Sequence, residues 1–379
     1  MKKMMKKAAC LGLASAMMLS VFAGCGEKKD DTVFKIGGLG PLTGGAADYG
    51  ISVKQGAEIA IKEINEAGGI KVGDKTLQLE MKFEDDEASA ELATTAYNAV
   101  MDWGAQVILG NVTSGACLAV NPLSHEDGIL QLTPSGSAAG CTEYDNGFRL
   151  CFTDPLQGEL MADYVKEKGY TKIAVIYNNT DEYSTGIKDA FSAKVAANGG
   201  KIVAEEEFAT DATDFTAQLT NIKSTEAEVI FVPAYYNDAA YIISQSIELG
   251  MELPFLGCDG WDGVLEQLKD NPNAADGAVF LSPFVATVED EAVQSFVKKY
   301  EAAYSSTPSQ FAADGYDCIY VIKAAVEKAG SVENADVIAA MVGLEFDGLT
   351  GSATFDAAGE PNKGAKFIEI KNGTYTVQE

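Results

Sequence analysis

The chain reads as an α/β protein made of two similar lobes, and three observations carry that expectation. Short apolar, β-rich runs alternate with stretches of helical spacing, glycines stand where each helix must end, and the pattern occurs twice. The runs fall at 33–39, 77–83, 106–110, 129–133, 172–177, 201–208, 228–233, 253–257 and 277–284. After the first run, Ala57, Ala60, Ile61, Ile64 and Ala67 recur at three and four residues, which places them on one helical face. Gly68-Gly69, Gly169, Gly199-Gly200, Gly250 and Gly330 follow such stretches, where a left-handed C-cap closes the helix. Strands alternating with helices of about 10 to 17 residues imply parallel sheets covered on both faces.

The repeat is weak but ordered. Lys35-Ile36, Tyr49-Gly50 and Gly68-Gly69-Ile70 are echoed by Lys172-Ile173, Tyr183-Ser184 and Gly199-Gly200-Lys201. Each copy runs strand, polar loop with a tyrosine, amphipathic helix, double glycine, strand. The boundary between copies falls near Phe148 to Asp154, a strand-like stretch ending in Asp154-Pro155. Beyond residue 284 come helical stretches at 289–304, 311–329 and 334–342 and then short strands, a tail that the two lobes must share.

At the front, Lys2, Lys3, Lys6 and Lys7 precede an apolar run from Ala8 to about Ala23 that stops at Phe22-Ala23-Gly24-Cys25. A charged start, a short apolar run and small residues before a cleavage point mark a secretory signal peptide over residues 1–24. The run is shorter than the ~20 residues that span a bilayer as a helix. The cysteine after Ala-Gly resembles a bacterial lipobox, with Phe22 where leucine is usual. That resemblance implies lipid on Cys25, a tether over 25–32, and a protein held on the outer face of the membrane. A plain secreted protein with an incidental cysteine is the alternative.

Size and charge set further bounds. Loss of residues 1–24 takes four lysines from a chain of 379 residues and moves the net charge from −28 to −32. So acidic a surface repels phosphate backbones and anionic headgroups, which disfavours nucleic acid and leaves the lipid as the membrane attachment. Hydrophobic content of 47% with 22% charged residues is that of an ordinary globular body. Of the seven cysteines, Cys117, Cys141, Cys151, Cys258 and Cys318 remain beside Cys10 and Cys25. Five cannot all pair, and none shows metal-ligand spacing. A Cys141–Cys151 bridge is geometrically possible beside the plainer expectation of buried free thiols.

Catalytic and cofactor chemistry find little support. The single histidine, His125, lies in Leu123-Ser124-His125-Glu126-Asp127 at a helix end, without the G-x-S-x-G elbow a serine hydrolase needs. One histidine with scattered cysteines supplies no zinc site. The loop Gly37-Gly38-Leu39-Gly40-Pro41-Leu42-Thr43-Gly44-Gly45 is spaced G-x-G-x-x-x-G, Pro41 removes a backbone donor, and the acid expected ~20 positions on at the end of the second strand is displaced to Glu84-Asp85-Asp86. It reads as a turn lining a cleft, with no cofactor and no metal.

Better signals stand at other strand ends, where open α/β sheets bind ligands. Gly110-Asn111-Val112-Thr113-Ser114-Gly115 and Thr133-Pro134-Ser135-Gly136-Ser137-Ala138 present hydroxyls and free N–H groups at helix starts, which suits a carboxylate. Ordinary N-capping by Ser114 and Ser137 explains either one alone. In the second half, Ala234-Tyr235-Tyr236-Asn237-Asp238 and Gly257-Cys258-Asp259-Gly260-Trp261-Asp262 follow strands. Asp259 could receive an ammonium group or cap a turn, as could Asp262. Tyr49, Tyr183 and Tyr235 fall after strands rather than inside helical stripes, as a cleft wall would.

In this order and at these spacings, the segments resemble the type I periplasmic binding proteins, specifically the leucine/isoleucine/valine-binding branch of ABC importers. The carrying pieces are Ile36-Gly37, Pro41-Leu42-Thr43-Gly44, Tyr49-Gly50, Gly56-Ala57, Ile64-Asn65, Gly68-Gly69-Ile70, Gly110, Thr113-Ser114, Thr133-Pro134-Ser135, Phe148-Arg149, Asp154, Gln157-Gly158 and Gly257-Cys258-Asp259-Gly260. The resemblance implies two Rossmann-like lobes joined by three crossover strands, 33–150 with 284–350 and 151–283 with 351–379. It implies a ligand α-carboxylate on Ser114, Ser137 and the Ser135 backbone, and an α-ammonium on Asp259 and the Ser135 carbonyl. Tyr49, Tyr183 and Tyr235 would flank the ligand, and Val112, Thr113 and Gly136 would shape its side-chain pocket. Asp259 stands where well-known members carry the longer glutamate, and Ser137 replaces a threonine. The implied role is delivery of an aliphatic α-amino acid to a membrane permease driven by ATPase subunits. A ligand-sensing partner of a receptor, a binder of another small carboxylate or amide, and an extracytoplasmic hydrolase are the alternatives.

Overall fold

The computed structural model describes residues 32–378. The signal segment, Cys25 and the tether up to residue 31 lie outside the described residues. The first part of the chain runs β1 (Val33–Gly40), α1 (Ala47–Glu66), β2 (Ile70–Val72), β3 (Lys75–Asp85), α2 (Ala90–Trp103), β4 (Val107–Leu109), α3 (Ser114–Glu126), β5 (Gln131–Thr133) and β6 (Gly147–Arg149). The second runs α4 (Asp154–Glu167), β7 (Lys172–Asn178), α5 (Glu182–Ala197), β8 (Lys201–Phe208), α6 (Thr216–Lys223), β9 (Val229–Phe231), α7 (Tyr236–Glu248), β10 (Phe255–Leu256), α8 (Val264–Gln267) and β11 (Val279–Ser282). The tail adds α9 (Glu291–Tyr304), α10 (Gln310–Ala329), α11 (Asn334–Met341), β12 (Glu345–Gly348), β13 (Gly351–Thr354), β14 (Lys366–Lys371) and β15 (Thr374–Val377).

Among the described residues two large sheets result, in the orders β2-β3-β1-β4-β5-β6 and β15-β14-β11-β10-β9-β7-β8, beside a two-stranded β12-β13 sheet. The interior strands are parallel and wholly apolar where helices cover both faces: Val107-Ile108-Leu109 and Val229-Ile230-Phe231 are fully buried. The sheets are not parallel throughout, as the alternation alone implied. β2 pairs antiparallel with β3, β14 with β11, and β15 with β14. β2 and β3 are joined only by Gly73-Asp74, too short a link for a parallel crossover.

In each sheet the chain winds outward from one strand in both directions, from β1 in the first and β7 in the second. These are the two strands that open the sequence repeat. The tail is divided: α10 packs along α1 of the first sheet, whereas β14 and β15 join the second. The chain therefore passes between the sheets three times, at 150–153, 283–290 and 355–365.

The helix pair α1–α10 is packed through glycine. A Cβ on Gly56 would lie 1.8 Å from the Ala312 carbonyl oxygen, and one on Gly315 would lie 2.2 Å from that of Val53. No larger residue lets the two backbones approach this closely. Ala57, Ala60 and Ile64 are buried as their spacing predicts, while Ile61 is half-buried and Ala67 turns to water at the helix end. The cysteine bridge considered above is not formed. All five described cysteines are free and buried, and Cys141 packs with Cys117 and Ala138 beneath α3 instead of facing Cys151.

Candidate functional site

Doubly wound sheets form a crevice at the carboxyl ends of the strands where the winding reverses. Here that point lies between β1 and β4 in the first sheet and between β7 and β9 in the second. The two crevices face each other. Tyr49, Val112, Thr113, Ser114 and Ser135 from the first and Tyr183, Tyr235 and Asp259 from the second line one small cavity, with Gly260 and Phe311. Eight of the ten expected ligand residues thus meet in one space. Gly136 and Ser137 do not line it; they lie behind Ser114. A larger open groove between α9 and the β12–β13 hairpin gathers none of these residues.

The hydroxyls on the first side have fixed polarities. Thr113, not Ser114, is the N-cap of α3, and it makes no side-chain capping bond. Capping therefore does not explain Ser114. Its oxygen instead accepts the Ser137 N–H at 3.2 Å and the Ala138 N–H at 3.1 Å. With both acceptor positions filled, what remains is its O–H, a donor. Ser135 is the reverse: its hydroxyl donates to the Val112 carbonyl at 2.6 Å, leaving lone pairs to offer. Thr133 holds this loop, donating to Asn111 O at 2.6 Å and accepting Gly136 N–H at 2.7 Å. Arg149, wholly buried, donates to the Gly136 and Ala138 carbonyls at 3.0 Å and pairs with Glu360.

On the second side, Asp259 lies in a short 3₁₀ turn after β10. Tyr183 donates to its Oδ1 at 2.7 Å and accepts the Gly260 N–H at 2.9 Å, while the Asp259 N–H donates to Gln157 Oε1 at 3.0 Å. Burial pushes the Asp259 carboxyl up to about 6, against the pull of the Tyr183 hydroxyl. Among the described residues no lysine or arginine lines the cavity to offset it. Asp262 takes the other expected role in part: its carboxylate accepts the Gln310 N–H at 2.6 Å and so caps the start of α10 rather than its own turn.

The tyrosines sit differently from the expectation. Tyr49 and Tyr183 lie in the first turns of α1 and α5, and Tyr235 is the N-cap of α7, because each helix begins directly at the cleft. Tyr183 and Tyr235 stack at 5.1 Å, Tyr235 meets Tyr49 edge-on at 5.4 Å, and Tyr49 lies 4.1 Å from Phe311. Tyr49 also bridges the two sides, since its hydroxyl donates to the Gly260 carbonyl and accepts the Tyr236 N–H at 3.1 Å. The glycine-rich loop closes the rim: Asn237 Nδ2 donates to Gly45 O at 2.7 Å. Asp85 pins that loop through Leu42 N–H at 2.8 Å and the Thr43 hydroxyl at 2.7 Å, which accounts for the acid that stood out of place for a dinucleotide loop. His125 is half-exposed in the last turn of α3, 3.4 Å from Asp145 and stacked on Tyr144.

Phe311, Gly260 and the supports Gln157 and Arg149 were not assigned roles from the sequence. Phe311 opens a helix more than 250 positions after Tyr49, and nothing local to it points to the cleft. Gln157 and Arg149 stand in the segments that carry the family resemblance, which is the signal that marks them.

A periplasmic binding protein family model matches residues 33–374. The Leu/Ile/Val-binding protein BraC3 of Rhizobium johnstonii is 32% identical over 330 residues, covering 86% of this chain and 88% of that protein. The leucine-, isoleucine-, valine-, threonine- and alanine-binding protein of Pseudomonas aeruginosa is 26% identical over 97% of this chain and 94% of its own. Among solved structures, the branched-chain amino acid transporter substrate-binding protein LivJ of Streptococcus pneumoniae, in complex with isoleucine, is 31% identical. It covers 91% of this chain and 99% of its own with a TM-score of 0.84. A solute-binding protein of an ABC transporter from R. palustris, in complex with benzoate, is 26% identical over 91% and 95% with a TM-score of 0.82.

Proposed function

The chain belongs to the periplasmic binding protein family, solute binders and not enzymes, and on that premise we propose that its cleft clasps an aliphatic α-amino acid as a zwitterion. One observation carries the reading: a hydroxyl fixed as donor (Ser114), a hydroxyl fixed as acceptor (Ser135) and an acid without a basic neighbour among the described residues (Asp259) face one enclosed space between the sheets. The ligand carboxylate lies on Ser114 and the Ser135 backbone. The ammonium lies between Asp259 and Ser135, and the side chain lies against Val112 and Thr113. The tyrosines Tyr49, Tyr183 and Tyr235 sandwich it. A purely anionic solute such as benzoate would face Asp259 with nothing to neutralise it.

The ligand then passes to the permease of an ABC importer, and a lipid on Cys25 keeps the protein beside it. The lobe made of 33–150 and 284–354 carries the carboxylate cradle and that made of 151–283 and 355–379 carries the acid, since the expected boundary at 350 would split the β12–β13 hairpin. Hydrogen bonds to charged groups contribute ~1.5–3 kcal/mol each, so a few from each lobe reach the ~8 kcal/mol of micromolar binding. Calorimetry across the twenty amino acids and benzoate tests this. Leucine, isoleucine or valine should bind at micromolar affinity or tighter. Benzoate binding without any amino acid would overturn the zwitterion.

A further inference from the structure

Two of the buried thiols pack against each other, and neither lines the cleft cavity. Cys117 lies in the first turn of α3 and Cys141 in the 3₁₀ turn Ala139–Thr142, and with Ala138 they form a small apolar cluster. Gly136 lets them meet, for a Cβ there would lie 3.3 Å from Cys117 Cβ and 3.3 Å from Cys141 Sγ. The Cys141 thiol reaches the Ser114 carbonyl at 4.0 Å, three positions before Cys117. Asn121 clamps the same two elements, since its Nδ2 donates from α3 to the Gly140 carbonyl at 2.8 Å. The two cysteine side chains also hydrogen-bond to each other. Cys151, the partner that sequence spacing allowed, belongs to the first passage between the sheets and has no part in this cluster.

We propose that Cys117 and Cys141 are a redox-sensitive pair, which closes to a disulfide when the protein meets a disulfide-bearing oxidant outside the cytoplasm, either a thiol oxidoreductase or a small-molecule disulfide. Both thiols are free in this structure. The step runs by exchange. The Cys117 thiolate attacks one sulfur of the oxidant's disulfide and releases the other as a thiolate. Cys141, having given up its proton, then attacks the Cys117 sulfur of the mixed disulfide and frees the second thiol. The two cysteines lose two protons and two electrons, and the oxidant takes both up as it becomes a dithiol. Cys117 suits the attacking role: the hydrogen bond from Cys141, helped by the charge of Arg149, holds its thiol below the usual range, while the same bond and burial push Cys141 up. Burial slows the exchange in the folded chain, but the shield over Cys141 is thin, since Ala139 is exposed and Gly140 half-buried. Opening one turn admits the oxidant. The loop that the bridge closes, 117–141, carries Ser135, so oxidation fastens the first side of the cleft to α3.

Peptide mapping tests the pairing without any variant. The full chain is reduced, then incubated with oxidised glutathione either in its native state or while refolding from urea. Free thiols are blocked with iodoacetamide, and the chain is cut after acidic residues, which separates Cys117, Cys141 and Cys151 at Glu126 and Glu143. Most of Cys117 should appear in a peptide linked to Cys141, sooner in the refolding sample than in the native one, and dithiothreitol should release it. The bridged form should melt about 3 °C or more above the reduced form, because the bridge restricts the unfolded chain. In Cys141→Ala, Cys117 should stay open to iodoacetamide and the melting temperature should no longer respond to the oxidant. Cys117 and Cys141 both alkylated after both incubations would overturn the proposal. So would Cys141 found linked to Cys151, or a bridged form that melts below the reduced one.

Discussion

Replacing Asp259 by asparagine isolates the charge at the centre of the proposed site. The substitution keeps the shape and leaves an oxygen for the Tyr183 hydroxyl, now 2.7 Å from Oδ1, so the cavity wall stays in place. What is lost is the negative charge opposite the ligand ammonium. A hydrogen bond to a charged group contributes ~1.5–3 kcal/mol, and at ~1.4 kcal/mol per decade this is a loss of about 10- to 150-fold in affinity. The pH dependence follows from the same group. In the empty cleft the carboxyl is pushed up to about 6 by burial, and an ammonium beside it favours the ionised form and lowers that value. Binding is therefore full above pH 6 and weakens as pH falls below it, by up to about tenfold per unit, until the ligand-bound carboxyl also takes a proton. Calorimetry with leucine at pH 7.5, 6 and 4.5 on wild type and Asp259→Asn reads both effects. An asparagine variant within twofold of wild type at pH 7.5, together with wild-type affinity flat to pH 4.5, would refute the reasoning.

Other outcomes can be checked separately. Tyr49→Phe removes one donor to Gly260 and one acceptor for Tyr236 while keeping the ring, so ligand release should speed up by about tenfold, for roughly 1 kcal/mol or more of lost closure; stopped-flow displacement measures it, and an unchanged rate denies Tyr49 its bridging role. Burial raises the carboxyls of Asp181 and Asp259 to about 6 and those of Asp238 and Asp262 to about 7. Between the unfolded value near ~4 and these values the folded chain holds protons that the unfolded chain has released, so stability falls as pH rises through 6 to 7. The ligand-free protein should melt at a higher temperature at pH 5.5 than at pH 8, and the opposite order would contradict it. Gly56→Ala must push α1 off the Ala312 carbonyl, at a cost of about 2 kcal/mol or more in urea unfolding. In a chain of residues 33–379, a thiol reagent should count no reactive cysteine in the native state and five after denaturation, and a count of three would mean a bridge.

The fold was legible because both its signals are local. Apolar runs such as Val107-Ile108-Leu109 and helix-closing glycines such as Gly199, with φ of 83°, need no knowledge of distant residues. The cleft was partly legible for the same reason: residues directly after a parallel strand lie at the crevice, which placed Ser114, Ser135, Tyr183 and Asp259. The polarity of the hydroxyls was not legible. Whether Ser114 caps a helix or receives the 137–138 loop depends on β5 lying beside β4, a long-range pairing. Phe311 was hidden likewise, since its role comes from an element brought to the cleft by the second passage between sheets. The antiparallel edges escaped because strands as short as β14 and β15 carry no sign of the neighbour they will choose.

The glycine-packed pairing of α1 with α10 also bears on how the chain can come to be folded. Tyr316 reaches back 253 positions to touch Glu63, so the first layer is finished by one of the last segments to be made. A ribosome that has released every strand of the first sheet has still not supplied the helix that packs over α1 and the β2 edge. Contacts so far apart must await the closing of a very long loop, which slows folding and prolongs the time an apolar face stands bare. Chains ending before residue 310 would hold all six strands and still lack the helix that packs on α1 and the β2 edge.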